Sequence, residues 1–397
     1  MKLKYTAIGL VSIIILLATS CRDYGPDVLN PDKRNSFENW SDVFESYWYG
    51  MNYSYAFWDV DPTDWDEVYA TYKPQFEGLE FYNEADSLKV KELFGEITSG
   101  LIDHHYTLVL KKGNGENFAG YWPNYDEVET RDYYHESIDQ DNLTEIIESM
   151  ESQGRVTHLY GVVRPDMTLY SALIDESVVY FRLSSFSMNS YLGDEHMEAV
   201  LYNYYSLIDN VPDLKGIIID SRSNNGGYIN DMNLIVTPLL AEDLLFMESR
   251  TKTGMGRLDY TPWTPNILFA QTTEDRYIKR DVRDIPVISL VDINSISMGE
   301  MIAIAIAEMP NGIVMGERTF GGLGVLNGDI NQYYTGTIEN SAFRMYTTTS
   351  MSRRLDGKCY EGIGISPDIE VLFDEEAFKA GHDTQLERAL EYIKTGK

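Results

Sequence analysis

IPVISLVDINSISMGEMIAIAIAEMPNGIVMGERTFGGLG, residues 285–324, decides the fold. Its opening, residues 285–291, is apolar and short, the pattern of a buried strand. Asn294, Ser295 and Ser297 follow as cap-type residues before residues 301–309, an apolar run rich in Ala and Ile. The spacing predicts strand, tight turn and buried helix, with Ser297 at the helix N-terminus. A hydroxyl there lies beside unpaired backbone N–H groups and the positive end of a helix dipole, which favour developing negative charge. The same position suits a plain N-cap, so the stretch alone leaves two roles for Ser297.

Working outward, Gly216-Ile217-Ile218-Ile219-Asp220 reads as a second buried strand, ending in Ser221-Arg222-Ser223-Asn224-Asn225-Gly226-Gly227. Paired glycines permit positive φ and expose backbone N–H groups to anything bound nearby, although a simple turn uses them too. Strands near Ile217, Val287 and Ile313 with helices between them predict a mostly parallel sheet covered on both faces. Residues 156–163, 178–183, 343–349 and 369–372 read as further strands, and residues 197–207 and 385–392 as helices. Toward the N-terminus, Phe37, Trp40, Phe44 and Trp48 recur at helical spacing, with Ser36 as the expected cap. Residues 65–72 and 88–101 continue the helical pattern, giving a small helical domain whose stripes are core. It runs into Asp103-His104-His105, where an imidazole titrating near neutral pH is a candidate general base or a structural histidine. Residues 111–140, rich in Gly, Asn and charge, read as a loop. Glu361, beside a turn, reads in isolation as a solvated carboxylate.

The 397 residues include 63 acidic and 32 basic side chains, a formal net charge of -31, so nucleic acid and anionic lipid surfaces are poor partners. Hydrophobic residues make up 43% of the chain, which argues for a packed core and against acidic disorder. Lys2 and Lys4 followed by the short apolar residues 7–18 form a processing signal. Leu17-Ala18-Thr19-Ser20-Cys21 resembles the lipobox of bacterial lipoproteins, which implies a lipid on Cys21 and an address on the cell envelope, periplasmic or surface-exposed. The polar residues 21–35 form a tether. Cys359 is the only other cysteine and lacks any nucleophile signature. No Cys pair or His-x-x-x-His spacing suggests a metal, and no cofactor is predicted.

Four motifs in order resemble the S41 peptidases, the tail-specific or C-terminal processing family with its tricorn-type branch. Residues 220–227 are similar to the family's Asp-Leu-Arg-x-Asn-x-Gly-Gly strand end, and residues 294–300 to its nucleophile turn. Residues 316–321 resemble its Gly-Glu-x-Thr-x-Gly strand, and residues 362–368 its Gly-x-Gly-Ile-x-Pro-Asp. The resemblance implies an α/β fold with a ClpP/crotonase-like core, preceded by the helical domain. It divides the chain into signal peptide 1–20, tether 21–35, helical domain 36–110, a linker 111–177 without a clear PDZ module, and a catalytic domain 178–397. It implies a serine peptidase acting on peptides or proteins, with Ser297 as nucleophile. The oxyanion donors fall in the Gly226-Gly227 turn and on the N–H of Met298. Many relatives carry a lysine base where this chain has Gly322. The tricorn-type branch uses a histidine instead, which falls on His105, supported by a glutamate that falls on Glu361. The other reading is a catalytically inactive lipoprotein that keeps the peptidase fold and binds a peptide or other ligand.

Overall fold

The computed structural model describes residues 37–272, 274, 276–325 and 336–397. Cys21, the signal segment, the tether and Ser36 lie outside them. The predicted strands at Gly216–Asp220 and Val287–Val291 lie side by side and parallel, Ile217 opposite Val287. They form the centre of a seven-stranded sheet. On one side Gly312–Gly316 and Ile369–Glu370 continue it in parallel. On the other, Val178–Leu183 is parallel and Met167–Ile174 and Val156–Arg164 are antiparallel. The sheet is therefore mostly parallel, as predicted.

Strand alternation sorts the core into two layers. Ile217, Ile219 and Val287 face a layer covered by helices Glu195–Asn210 and Met298–Ala307. Ile218, Ile288 and Leu290 face the opposite layer, covered by Gln140–Ser152 and Thr384–Thr395. Each fully buried aliphatic side chain contributes roughly 1.5–3 kcal/mol by leaving water, so the central strands are held from both sides.

The N-terminal helices are Trp40–Ser54, Trp65–Phe76 and Glu84–Thr98. Asn39 caps the first by accepting from the Asp42 N–H at 2.8 Å. The aromatic stripe is core at Phe37, Trp40 and Phe44, as expected, whereas Trp48 is only partly buried and packs against the core beside the buried Tyr47. Two boundaries differ from the sequence reading. The helices pack on an antiparallel sheet that joins Thr107–Lys111 and Asn117–Tyr121 to Thr337–Glu339 and Phe343–Tyr346, so the chain returns to this region late. Residues 111–140, expected to be a loop, hold the hairpin strand Asn117–Tyr121 and the short helix Pro123–Val128, and residues 111–177, expected to be a linker, also supply two strands of the large sheet, the first of them at the predicted 156–163. Gly and Asn in the expected loop mark the hairpin turn at residues 112–116 rather than a structureless run.

Candidate active site

The turn at Ser297 is strained. Ser297 has φ 60° and ψ -118°, a backbone region that side-chain-bearing residues seldom occupy and that an ordinary N-cap does not use. A sharp strand-to-helix turn of this kind projects its serine above the sheet. Two features hold it. The Ser297 N–H donates to Gly322 O at 3.0 Å and to Glu300 Oε2 at 3.2 Å. The N–H groups of Glu300 and Met301 both turn to Ser297 O at 3.0 Å.

Glu300 carries more of this turn than its exposed-looking chemistry suggests. It is buried, and its carboxylate also accepts from Gly321 N–H at 2.9 Å, Gly322 N–H at 2.7 Å and the Thr319 hydroxyl. Burial raises its pKa to about 7 against those donors. The sequence reading passed over it, although Ser297-Met298-Gly299-Glu300 has the spacing of a capping box, which was the available signal.

Ser297, His105, Gly226, Gly227 and Met298 line one cavity of about 450 Å³, together with Tyr125, Ile229, Ile296, Met301 and Val325 among others. His105 reaches it from the end of the helical region. A Cβ built on Gly322 would lie 3.2 Å from His105 Cε1 and 2.8 Å from Ile296 Cγ1. The imidazole thus fills the space into which a longer side chain at position 322 would grow. Burial lowers the His105 pKa to about 4, so the ring is neutral and able to accept a proton at ordinary pH. His104 points elsewhere: it is buried, its ring meets Phe320 edge-on, and burial lowers its pKa to about 3.

Glu361 departs from its isolated reading as a solvated carboxylate, because it is only 3% exposed. Its Oε1 accepts from His104 N–H and its Oε2 from Leu323 N–H, each at 2.8 Å. It therefore staples the histidine loop to the loop that carries Gly322. Asp103, fully buried, lies with it: one side-chain donor or acceptor atom from each of Asp103, His105 and Glu361 falls within 4.8 Å of the others. The sequence reading used Asp103 only as part of a motif.

Across the cavity, Gly226 has φ 83°, and a Cβ there would meet Ser297 Cβ at 2.6 Å and Oγ at 2.9 Å. Only glycine permits this approach. The two glycines have different tasks. Gly226 N–H donates to Asn224 Oδ1 at 2.8 Å, which removes it as an oxyanion donor. The N–H groups of Gly227 and Met298 have no acceptor among the described residues. Behind the turn, Arg222 ties Asp220 to Asp383 with contacts of 2.7 Å to each, and Arg182 reaches Asp220 at 3.0 Å. Burial alone would raise the Asp220 pKa, but the two guanidinium charges outweigh it and hold it below the usual range.

A model of peptidase family S41 matches residues 177–371. The chain is 24% identical over 204 residues to a Sulfurisphaera tokodaii protein named as a Tricorn-like protease C-terminal subunit, covering 50% of this chain and 20% of that protein. It is 24% identical over 214 residues to a carboxy-terminal-processing protease of Bartonella bacilliformis, covering 54% of this chain and 43% of that protein. The chain thus spans less than half the length of either curated relative. Its fold matches the crystal structure of a protein described as a peptidase from Parabacteroides merdae, with TM-score 0.64, 23% identity, and 91% and 98% of the two chains covered. Residues 177–371, just under half of the chain, belong to peptidase family S41. No helix among the described residues is long and apolar enough to cross a membrane.

Proposed function

We propose that the protein is a serine peptidase that cleaves peptides or proteins through an acyl-enzyme on Ser297. The carrying observation is the strained Ser297 turn and the neutral, half-buried His105 on the wall of the same cavity. In this reading His105 takes the Ser297 hydroxyl proton as the oxygen attacks the scissile carbonyl. The Gly227 and Met298 N–H groups receive the oxyanion, each donor typically worth ~3 kcal/mol of barrier. His105 then returns the proton to the leaving amine, and water repeats the sequence to release the acyl group. Glu361 supports the imidazole when it is charged. The processing-protease relative and the family model support peptide-bond hydrolysis as the reaction class.

The test is labelling by a fluorophosphonate probe, read by peptide mass spectrometry. Ser297 is expected to carry the label, and Ser297→Ala and His105→Ala to lose it. A folded wild-type protein that stays unlabelled would leave a peptide-binding lipoprotein as the better account. The lipid anchor and envelope address are part of the same proposal and rest on residues 17–21. Cys21→Ala is expected to leave unprocessed precursor or release the protein from the membrane fraction, and unchanged lipid-modified protein in that variant would rule the anchor out.

A further inference from the structure

The site holds more buried negative charge than a single supporting glutamate explains. Asp103 and Glu361 both face His105, with one acceptor atom of each and a ring nitrogen of the histidine all within 4.8 Å. Each carboxylate is anchored by two backbone donors on different loops. Asp103 Oδ1 accepts from His105 N–H and Oδ2 from Thr348 N–H, both at 2.9 Å. Glu361 takes the His104 and Leu323 N–H groups. Among the described residues no lysine or arginine forms an ion pair with either. The remaining charged and titratable neighbours are Asp61 and Glu300, which add negative charge, and Tyr55, Tyr106, Tyr346 and the Cys359 thiol, which are neutral. Arg131 faces His104 instead. The His105 Nδ1 atom is itself buried without a hydrogen-bond partner among the described residues.

Two desolvated carboxyl groups this close, without a cation, do not both ionise. We infer that Asp103 and Glu361 form one carboxylic acid–carboxylate unit, holding a single proton and a single negative charge between them, that positions His105. Asp103 is thereby a second positioning residue for the proposed reaction, and the inference rests on His105 being the base. The proton stays within the pair during turnover. The one negative charge faces the ring when His105 takes the Ser297 proton, and nothing else is transferred. The directions agree: burial raises Asp103 to about 7, and burial together with the Asp103 charge raises Glu361 well above the ordinary range. Either group alone is able to supply the charge, so loss of one leaves the other ionised.

The experiment compares acylation rates against pH for wild type, Asp103→Asn, Glu361→Gln and the double variant, with infrared spectroscopy on the wild type. Each single variant is expected to lose about tenfold or less in rate, with a shifted pH profile. The double variant is expected to lose at least about a thousandfold, beyond the roughly hundredfold ceiling set by the product of the singles, because only it lacks both groups able to supply the charge. Wild-type protein is expected to show a protonated-carboxyl C=O band at neutral pH that persists in Glu300→Gln, which removes the other carboxyl raised to about 7, and that titrates as one proton. A double variant no slower than Glu361→Gln, or a wild type without that band, overturns the inference. The band is measurable on wild type even if a variant fails to fold. Absence of Ser297 labelling in the wild type would instead count against the serine-peptidase reading itself.

Discussion

Two clusters of buried carboxylates flank Ser297, and they are built on opposite principles. Behind it, Asp220 and Asp383 are matched by the guanidinium groups of Arg222 and Arg182, all essentially excluded from water. In front of it, Asp103 and Glu361 meet backbone N–H donors and a neutral imidazole, and among the described residues no lysine or arginine pairs with either. The first cluster is charge-balanced and ties the Thr384–Thr395 helix, through Asp383 and Gln385, to the glycine turn. The second keeps uncompensated acidity beside a ring that must become cationic during the proposed reaction. Balanced ions hold a loop in place, and unbalanced ones leave a field for chemistry to use.

The difference is tested most strongly by removing the reacting groups. Ser297→Ala and His105→Ala are each expected to lower peptide turnover by on the order of 10⁴-fold or more, and the pair by no more than either alone. His104→Ala, which keeps the backbone N–H that Glu361 accepts, is expected to retain most activity. Full turnover in His105→Ala, or loss confined to His104→Ala, would break the assignment of the base.

The rear cluster predicts a stability effect instead. Arg222→Met leaves Asp220 and Asp383 without their main counter-charge and is expected to cost about 3–5 kcal/mol in denaturant unfolding. A loss below about 1 kcal/mol would mean that the cluster relaxes without its arginine. Glu300→Gln is expected to sit between the two regions. It places an NH₂ group against one of the N–H donors of Gly321, Gly322 or Ser297, costing about 1–3 kcal/mol and loosening the serine turn. Activity in this variant should fall more than its stability loss explains at a temperature where it remains folded.

The smallest expected effect is the pH dependence of stability, and the two clusters give it opposite signs. Asp220, held below its unfolded pKa, contributes stability that is present above about pH 4 and lost as pH falls through its folded value. Asp103, raised to about 7, contributes stability that is present below about pH 4 and lost as pH rises through 7. Asp103→Asn should therefore gain on wild type as pH rises from 4 to 8, measured by melting temperature, and a constant gap would remove that contrast.

Much of this arrangement was legible beforehand because it depends on local pattern. Residues 285–291 and 216–220 had to be strands, since their apolar runs are too short for helices and are bounded by turn residues. Ser297 before an apolar helix was equally visible, although a cap and a nucleophile have the same sequence signal until φ is known. What sequence pattern could not carry was distance along the chain. Glu361 reads as solvated because its partners, His104 and Leu323, are 257 and 38 residues away. The late return of Phe343–Tyr346 to the N-terminal sheet was hidden for the same reason. The division between Gly226 and Gly227 turned on one hydrogen bond to Asn224, which identical residues side by side do not reveal.

The central claim is that His105 is the base for Ser297, and the most direct measurement is the pH profile of Ser297 acylation in wild type and His105→Ala. Because burial lowers the imidazole pKa to about 4, wild-type acylation should persist well below pH 6.5, with its acid limb near 4. His105→Ala should lose that limb along with nearly all of the rate. An unchanged profile in His105→Ala, at a rate comparable to wild type, would contradict the account.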